Sequence, residues 1–412
     1  MKIAFLTAGG IAPCLSASIG GLIETYNTLA PNAELIGYLN GYKGLLTNQS
    51  IAIPESVKGK SNTLYNFGGS PIGNSRVKLT NVENCIKKGY IKEGENPLQV
   101  AAQQLVNDEV DILHTIGGDD TNTMAAELSF YLKENNYELT VVGLPKTVDN
   151  DVFPIAQTLG AYTAAEQGAI FFENISNENT TSSRQLIIHE TMGRSCGWLT
   201  AYTAKEYRSR LSQREFLPEI LIDQQRWDID AVYVPEMPID FSLECERLTK
   251  RMDEKDSVNI FLSEGAGTEM IINELESEGK HVERDAFGHV ALDFLNPGQW
   301  FAKRFTEKLS ADKTLVQKSG YFARSAAPNA RDLELIQSSC KLAGEYALNK
   351  QSGVVGLDDA NNNKMSLIDF KRIKGGKPFD INQEWYTSLL TEIGQHKSVS
   401  YTHLTLPTNR EV

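Results

Sequence analysis

The sequence lacks the basic excess that nucleic acids and anionic membranes require of a partner. Its formal net charge is −13, with 40 Lys and Arg against 53 Asp and Glu. Because such binding is driven by basic surface, we expect neither a nucleic acid nor a membrane as a partner. Anionic substrates remain possible, since a local cluster of cations and backbone N–H groups binds phosphate even inside an acidic protein.

Cysteine is sparse, and long apolar runs are missing. The five cysteines are dispersed and contain no Cys-x-x-Cys pair, which predicts reduced thiols in a cytoplasmic protein, not a disulfide framework or a zinc site. No run of about 18 apolar residues occurs, so no membrane span is predicted. The apolar run at residues 2–7 is too short for a signal peptide and predicts a first strand.

Short apolar stretches alternate with helical patterns along the 412 residues. This alternation predicts an α/β fold with mostly parallel sheets, whose ligands bind beyond the carboxyl ends of the strands. The predicted strands are residues 2–7, 34–38, 111–116, 140–144, 185–189, 231–234 and 259–262. Helical patterns include residues 16–27, 97–107 and 121–134.

The last fourteen residues, 399–412, have a pattern typical of neither a helix nor a buried strand. The string V-S-Y-T-H-L-T-L-P-T also reads as the translation of a sequencing-library adapter. We therefore expect residues 398–412 to be a non-native tail that replaces the natural C-terminus after about Lys397.

Glycine-rich turns follow two of the predicted strands. The first ends at Gly10, where glycine lets the backbone approach a phosphate, although a tight strand-to-helix turn explains it equally well. The second, Gly-Gly at residues 117–118, precedes Asp119 and Asp120. One carboxylate there suits Mg²⁺ bridged to phosphate oxygens. Helix capping is the alternative, but it explains one of these acids and not the pair.

The strand at residues 140–144 leads into Lys146, Asp149 and Asp151. A carboxylate here can take the proton from an attacking hydroxyl, with Lys146 as a mobile positive charge beside it. In an extended segment the two acids, two residues apart, share a side. An Asp/Asn-rich turn without chemistry is the alternative.

Four more loops carry candidate anion-binding or sugar-binding side chains. Taken singly, each of the last three is more often structural than functional. Arg324 has the planar fork that clamps a phosphate bidentately, and Lys78 is expected to be a solvated surface charge. The loops are the Gly-rich turn 67–76 that ends in Arg76, Met192-Gly193-Arg194, Ser263-Glu264-Gly265, and Gly320-Tyr321-Phe322-Ala323-Arg324 with the following residues 328–332.

Taken together and in their order along the chain, these motifs resemble those of the 6-phosphofructokinase family. Within that family they are most similar to the pyrophosphate-dependent branch. The matching strings are Gly-Gly-Asp-Asp-Thr, Pro-Lys-Thr-Val-Asp-Asn-Asp, Met-Gly-Arg, Ser-Glu-Gly and Gly-Tyr-x-x-Arg, which span residues 9 to about 332. The resemblance implies glycolytic, Mg²⁺-dependent, reversible phosphoryl transfer from pyrophosphate to the 1-hydroxyl of fructose 6-phosphate. It also implies a homodimer or homotetramer.

The resemblance further implies two similar Rossmann-like, three-layer halves with the active site in the cleft between them. The expected segments are a pyrophosphate side at 1–145, a sugar-phosphate side at 146–310, and a segment at 311–397 that packs back across both. Asp119 would bind Mg²⁺, Asp149 would accept the proton, and Asp120 and Lys146 would act at the donor. The remaining substrate-binding positions would be Gly10, Arg76, Thr147, Val148, Met192, Gly193, Arg194, Glu264, Tyr321, Phe322, Ala323 and Arg324.

Asp120 and Lys146 decide the donor in this resemblance. ATP-using relatives have glycine at the first position and a small residue at the second. A carboxylate about 4 Å from a nucleotide phosphate, at an effective dielectric near 20, costs about 4 kcal/mol, which is on the order of a thousandfold in affinity. An ATP-dependent 6-phosphofructokinase remains the first alternative. A non-catalytic regulatory subunit is the second, although the acids at 119 and 149 argue against it.

The sequence departs from the family pattern at two positions. Cys14 stands where many relatives have a later glycine of the first loop, which puts phosphate binding there in question. Many relatives also place an arginine seven residues before the Met of Met-Gly-Arg, where it reaches a neighbouring subunit. Here that position is Gln185, and Arg184 lies beside it.

Overall fold

The strands are short, and the seven predicted ones are all present, with ends shifted by at most two residues. The computed structural model describes residues 1–280, 282 and 292–396, so the predicted tail at 398–412 lies outside the described residues. The strands are β1 (Lys2–Thr7), β2 (Glu34–Tyr38), β3 (Ser50–Ala52), β4 (Ile112–Gly117), β5 (Thr140–Pro145), β6 (Gln185–Thr191), β7 (Ala231–Tyr233), β8 (Ser257–Ser263), β9 (Lys313–Lys318), β10 (Gly353–Asp358) and β11 (Lys364–Ile368).

Several helices begin at a side chain that accepts from their first free N–H groups, as at Asn96, which accepts from the N–H of Leu98 at 2.9 Å. None of the described helices has the length and apolarity to cross a membrane. The helices are α1 (Leu15–Leu29), α2 (Tyr42–Leu46), α3 (Glu55–Lys58), α4 (Val82–Lys87), α5 (Pro97–Asn107), α6 (Asp119–Glu134), α7 (Ala161–Ile175), α8 (Trp198–Leu211), α9 (Gln224–Trp227), α10 (Phe241–Lys255), α11 (Thr268–Ser277), α12 (Leu292–Leu295), α13 (Pro297–Lys308), α14 (Gly320–Arg324), α15 (Ala330–Leu348) and α16 (Glu384–Glu392).

The first sheet has the strand order β11-β10-β5-β4-β1-β2-β3, with antiparallel edges and a parallel centre. Every residue of β4 and β5 is buried, as expected of parallel strands covered on both faces. Helices α5 and α6 contribute to the core on one face. On the other, Tyr26 of α1 contacts His114 of β4 at 2.6 Å. The carboxyl ends of β1, β4 and β5 therefore lie side by side.

The second sheet has the order β7-β8-β6-β9 and is parallel throughout. Helices α10 and α13 pack on one face of it. On the other face Phe172 of α7 stacks on His189 of β6, with ring centroids 5.3 Å apart. Two mostly parallel sheets, each covered by helices on both faces, confirm the predicted α/β fold class.

Contacts divide the chain into two compact units, residues 1–171 with 319–379 and residues 172–318 with the part from Asp380 onward. These boundaries differ from the expected segments 1–145, 146–310 and 311–397. The reason is strand pairing: β9 joins β6 in the second sheet, whereas β10 joins β5 and completes the first.

Candidate active site

The first loop of the first unit is positioned by the Gly-rich turn that ends at Arg76. Gly9 has a φ of +88°, which favours glycine, and its N–H donates to the carbonyl of Ser75 at 2.9 Å. The amide of Asn74 donates to the Gly9 carbonyl at 2.6 Å. A side chain on Gly10 would place its Cβ 3.5 Å from the Arg76 guanidinium. The Arg76 guanidinium therefore lies beside the backbone of Gly10, where an added Cβ would make only an ordinary contact with it, and an anion at Gly10 would meet that cation.

Lys146 enters the same loop from the end of β5. Its ammonium donates to the Gly10 carbonyl at 2.6 Å, and the side chain is only 4% exposed. Burial, and to a smaller extent the positive charge of Arg76, lower the pKa of Lys146 to about 8. Lys146 is thus a partly desolvated cation beside Gly9 and Gly10, where its attraction for an anion is stronger than at the surface.

Cys14, the first departure from the family pattern, contacts the segment that precedes α7. Its side chain is fully buried, and its thiol donates to the carbonyl of Leu159 at 3.3 Å. Burial raises the pKa of the Cys14 thiol, so the group stays neutral.

Asp119 and Asp120 open helix α6 directly after β4, so both lie at the positive end of the helix dipole. Asp120 forms an ion pair with Lys78 at 2.5 Å, and both side chains are about half exposed, 59% and 50%. Lys78 was expected to be a solvated charge, and this contact was missed. The available signal was its position two residues after Arg76, which places both side chains on one side of an extended segment.

The loop after Lys146 bends at Val148 and Asp149, as in the Asp/Asn-rich alternative and not as in an extended segment. Asn150 adopts a left-handed φ of +57°, and its side chain accepts from the N–H of Thr158 at 2.8 Å. The N–H of Asp149 donates to the Thr147 hydroxyl at 3.1 Å. The amide of Asn150 therefore fixes the turn that presents Asp149.

Asp151, at the far side of this turn, approaches Asp119. Burial raises the pKa of Asp151, and the negative charge of Asp119 raises it further, while Thr147 and Lys146 oppose the shift. Carboxylate oxygens are ligands that Mg²⁺ prefers, so Asp119 and Asp151 are the candidate cation ligands of this unit. Thr147, which bonds to this turn, and the buried Val148 complete the loop in the first unit.

In the second unit, Met192, Gly193 and Arg194 follow β6. Gly193 has a φ of +125°, and a Cβ on it would overlap the carbonyl of Cys196, so only glycine fits. Its N–H donates to the carboxylate of Glu264 at 3.3 Å. Arg194 is exposed. The ends of β6 and β8 thus bring a carboxylate and a guanidinium into one neighbourhood.

Burial raises the pKa of Glu264, and the charge of Glu190 opposes the lowering effects of Arg194 and Lys318. Glu190 is buried, accepts from the N–H of Gly298 at 3.0 Å in the first turn of α13, and forms an ion pair with Lys318 at 2.7 Å. Glu190 lies two residues before Met192, and the sequence alone assigned no role to it. The structure gives it a structural one, because it caps α13.

The loop Gly320–Arg324 lies in the first unit as helix α14. The Arg324 guanidinium lies 4.4 Å from the ring centroid of Tyr321, which is 81% exposed. Phe322 packs on Phe171 with ring centroids 5.8 Å apart, and Ala323 is buried. A guanidinium over an exposed aromatic ring suits an anionic, partly apolar ligand.

The following segment, residues 328–332, is structural. Asn329 caps α15 by accepting from the N–H of Asp332 at 2.9 Å. The Asp332 carboxylate accepts from the N–H groups of Gly160 and Thr163 at the start of α7, at 3.1 and 2.7 Å. For residues 328–332, the structural interpretation of this motif therefore suffices.

Arg184 is committed to its own unit. Its guanidinium donates to the carbonyls of Leu309 and Ser310 at the end of α13 and to Asp253 at 2.7 Å. Gln185 is fully buried at the start of β6. The contacts of Arg184 therefore lie within the second unit, which also encloses Gln185.

Known proteins resemble this chain over most of its length. The profile of the family described as Phosphofructokinase matches residues 2–341. A pyrophosphate–fructose 6-phosphate 1-phosphotransferase of Methylomonas methanica is 58% identical over 396 residues, 96% of this chain and 97% of that protein. A protein of the same name from Mastigamoeba balamuthi is 53% identical over 403 residues, 97% of this chain and 98% of that protein. The crystal structure of a pyrophosphate-dependent phosphofructokinase from Nitrosospira multiformis covers 99% of this chain and 95% of its own, with a TM-score of 0.69 at 17% identity.

Proposed function

Because this chain belongs to the phosphofructokinase family, we propose that it transfers a phosphoryl group from pyrophosphate to the 1-hydroxyl of fructose 6-phosphate, reversibly and with Mg²⁺. The identity of 58% to a pyrophosphate-dependent relative supports the donor. Lys146 supports it physically, because a buried ammonium at Gly10 favours a small, highly charged donor.

The carboxylates of Asp119 and Asp151 fit Mg²⁺. The described residues contain no cluster of three or more His, Cys, Asp or Glu side chains that would hold a metal alone. Mg²⁺ needs no such cage, since it is bound by one or two carboxylates together with substrate phosphates and water. When bound, the ion neutralises charge on the phosphoryl oxygens.

In the first unit, we assign the donor to Gly10, Arg76 and Lys146. The two cations hold the phosphoryl oxygens while Asp149 orients the sugar hydroxyl and takes its proton. No covalent intermediate with the protein is needed, because positioning and charge neutralisation lower the barrier. Thr147 and Val148 support the turn.

The remaining candidate residues are assigned to the sugar phosphate. Arg194 and Arg324 are each proposed as binders of its phosphate group, because guanidinium groups match phosphate geometry. Glu264 accepts from sugar hydroxyls. Met192, Gly193, Tyr321, Phe322 and Ala323 complete the substrate-binding set. We also propose a homodimer or homotetramer in the cytoplasm, consistent with five free cysteines.

A turnover assay with fructose 6-phosphate and Mg²⁺ tests the proposed donor. We expect turnover with pyrophosphate and at least about tenfold less with ATP, which corresponds to about 1.4 kcal/mol of discrimination. Equal turnover with both donors would contradict the pyrophosphate assignment. Turnover with neither would favour the regulatory-subunit alternative.

The pH dependence should report Lys146. With a pKa of about 8 in the free enzyme, Lys146 is charged below that pH and loses its charge above it. We expect kcat/KM for pyrophosphate to fall as the pH rises through about 8, since this ratio reports ionisations of the free enzyme. The measurement is a profile between about pH 6.5 and 9.5.

Lys146→Arg is the matched control, because arginine stays charged throughout this range. Ionisation of pyrophosphate itself affects both proteins equally. The variant should therefore lack only the inflection near pH 8. Profiles of the same shape would remove Lys146 from the donor site.

A further inference from the structure

A segment far along the chain lies against the turn that presents Asp149. Residues 374–377, Lys-Gly-Gly-Lys, are called the donor strap here. The N–H of Phe153 donates to the carbonyl of Lys374 at 2.7 Å, and the N–H of Lys374 donates back at 3.2 Å. The N–H of Lys377 donates to the carbonyl of Asp151 at 2.9 Å. The strap is thus paired by backbone bonds with residues 151–153.

Both ends of the donor strap are fixed. Before it, Ile373 is buried in a small apolar cluster with Val152 and Ile155. At its end, the Lys377 ammonium donates to the Ile155 carbonyl at 2.7 Å and to the Asp359 carboxylate at 2.5 Å. A segment anchored in this way yields little when a neighbouring group presses on it.

Gly375 of the strap abuts the carboxylate of Asp119. A Cβ on Gly375 would overlap Oδ2 of Asp119 and lie 2.7 Å from its Cγ and 3.3 Å from its Oδ1. The φ of Gly375 is not in the left-handed region, whereas that of Gly376 is +77°. The backbone at 375 therefore carries no left-handed strain, and an added Cβ would meet the Asp119 carboxylate first.

The backbone of Asp119 is held in place, because it is the first residue of α6. A side chain at 375 would force the carboxylate to rotate away, because neither the strap nor the helix start moves easily. The position of Oδ1 and Oδ2 thus depends on the absent side chain of Gly375.

We propose that the donor strap forms a wall of the pyrophosphate site, and that Gly375 is a positioning residue that sets the Asp119 carboxylate for the cation–pyrophosphate complex. This inference rests on the proposed function. It gives the C-terminal part of the first unit a role in donor binding. The effect of Gly375 on the reaction passes entirely through Asp119.

Gly375→Ala and Gly376→Ala form a matched pair. The first adds a methyl group against Asp119 at an unstrained φ. The second strains the backbone at +77° but meets nothing within 4 Å. If the two glycines matter only for the backbone conformation, Gly376→Ala should lose more binding of the metal–pyrophosphate complex. The proposed role of Gly375 predicts the larger loss of this binding for Gly375→Ala.

The direct readout is binding of Mn²⁺ with methylenediphosphonate, a pyrophosphate analogue that is not turned over, followed by the electron paramagnetic resonance of free Mn²⁺. We expect Gly375→Ala to weaken this binding by about 10–100-fold, the usual range for groups that orient a metal ligand. In Gly375→Ala, both KM for fructose 6-phosphate and the unfolding midpoint should change less than they do in Gly376→Ala. KM for pyrophosphate should rise in parallel with the loss of Mn²⁺ binding.

Equal Mn²⁺ binding in the two variants would overturn the role of Gly375. So would a loss in Gly375→Ala that appears equally in KM for fructose 6-phosphate and in the unfolding midpoint. The unsubstituted protein separates this failure from that of the proposed function. If it shows no pyrophosphate-dependent turnover, the proposed function fails and the strap's role fails with it; if it turns over normally, only the strap inference is lost.

Discussion

Replacing Asp149 with asparagine is expected to lower kcat by about 10²–10⁴-fold, the usual contribution of a general base. Asparagine has nearly the same shape but cannot take a proton from the 1-hydroxyl. The turn should survive, because the bond of the Asp149 N–H to Thr147 and the bonds of Asn150 to Thr158 do not involve the replaced carboxylate. The measurement is kcat at saturating substrates, together with the unfolding midpoint.

Asp151→Asn is the matched control for this prediction. It removes a carboxylate from the same turn, but one that lies toward Asp119. We expect this variant to need more Mg²⁺ for half-maximal activity while keeping more kcat at saturating Mg²⁺. If Asp149→Asn instead keeps kcat and only raises the Mg²⁺ requirement, Asp149 is a cation ligand and not the base.

The strands that carry the donor loops could be predicted because their signals are local. A Gly-Gly pair closely follows the apolar run at residues 2–7, and another Gly-Gly pair directly precedes Asp119. In a parallel sheet such strand ends converge, which is why the sequence alone could group the donor residues of the first unit. Strands β9 and β10 were not predicted. Neither the mixed run Lys313–Lys318 nor Gly353–Asp358 reveals which sheet it joins, since pairing with β6 and β5 is non-local.

The parts of the candidate site that escaped prediction are contacts between distant segments. The position of Lys78 two residues after Arg76 places it on the same side of the segment but does not identify Asp120 as its partner. Nothing near Gly375 indicates the carboxylate of Asp119. Asn150 is different, because asparagine tolerates the left-handed conformation and its turn was a readable alternative. Residue type predicts which chemistry is available, whereas tertiary packing decides which side chains meet.

The ion pair of Asp120 changes the expected size of its effect on donor choice. The value of about 4 kcal/mol assumed an unpaired carboxylate at an effective dielectric near 20. In the structure Asp120 is 59% exposed and paired with Lys78. For exposed charges such as these, electrostatic interactions are worth about 1 kcal/mol or less. Asp120→Gly alone is therefore expected to improve kcat/KM for ATP by only about fivefold.

Asp120→Gly combined with Lys146→Gly should reverse the donor preference. Lys146 is buried, so its removal costs pyrophosphate an interaction that solvent does not screen, and we expect kcat/KM for pyrophosphate to fall by at least about a hundredfold. The loss of Asp120 also releases Lys78, whose ammonium can then attract the inner phosphate of a nucleotide. The measurement is kcat/KM for both donors in each single variant and in the pair.

Lys78→Met in this double variant separates the two contributions to ATP use. If the release of Lys78 matters, the added substitution lowers kcat/KM for ATP again and leaves the already weakened pyrophosphate reaction nearly unchanged. If ATP use is unaffected, the gain comes from the space that Asp120 vacates and not from charge. A double variant that still prefers pyrophosphate would show that neither side chain selects the donor, and the selection would then lie elsewhere in the first unit.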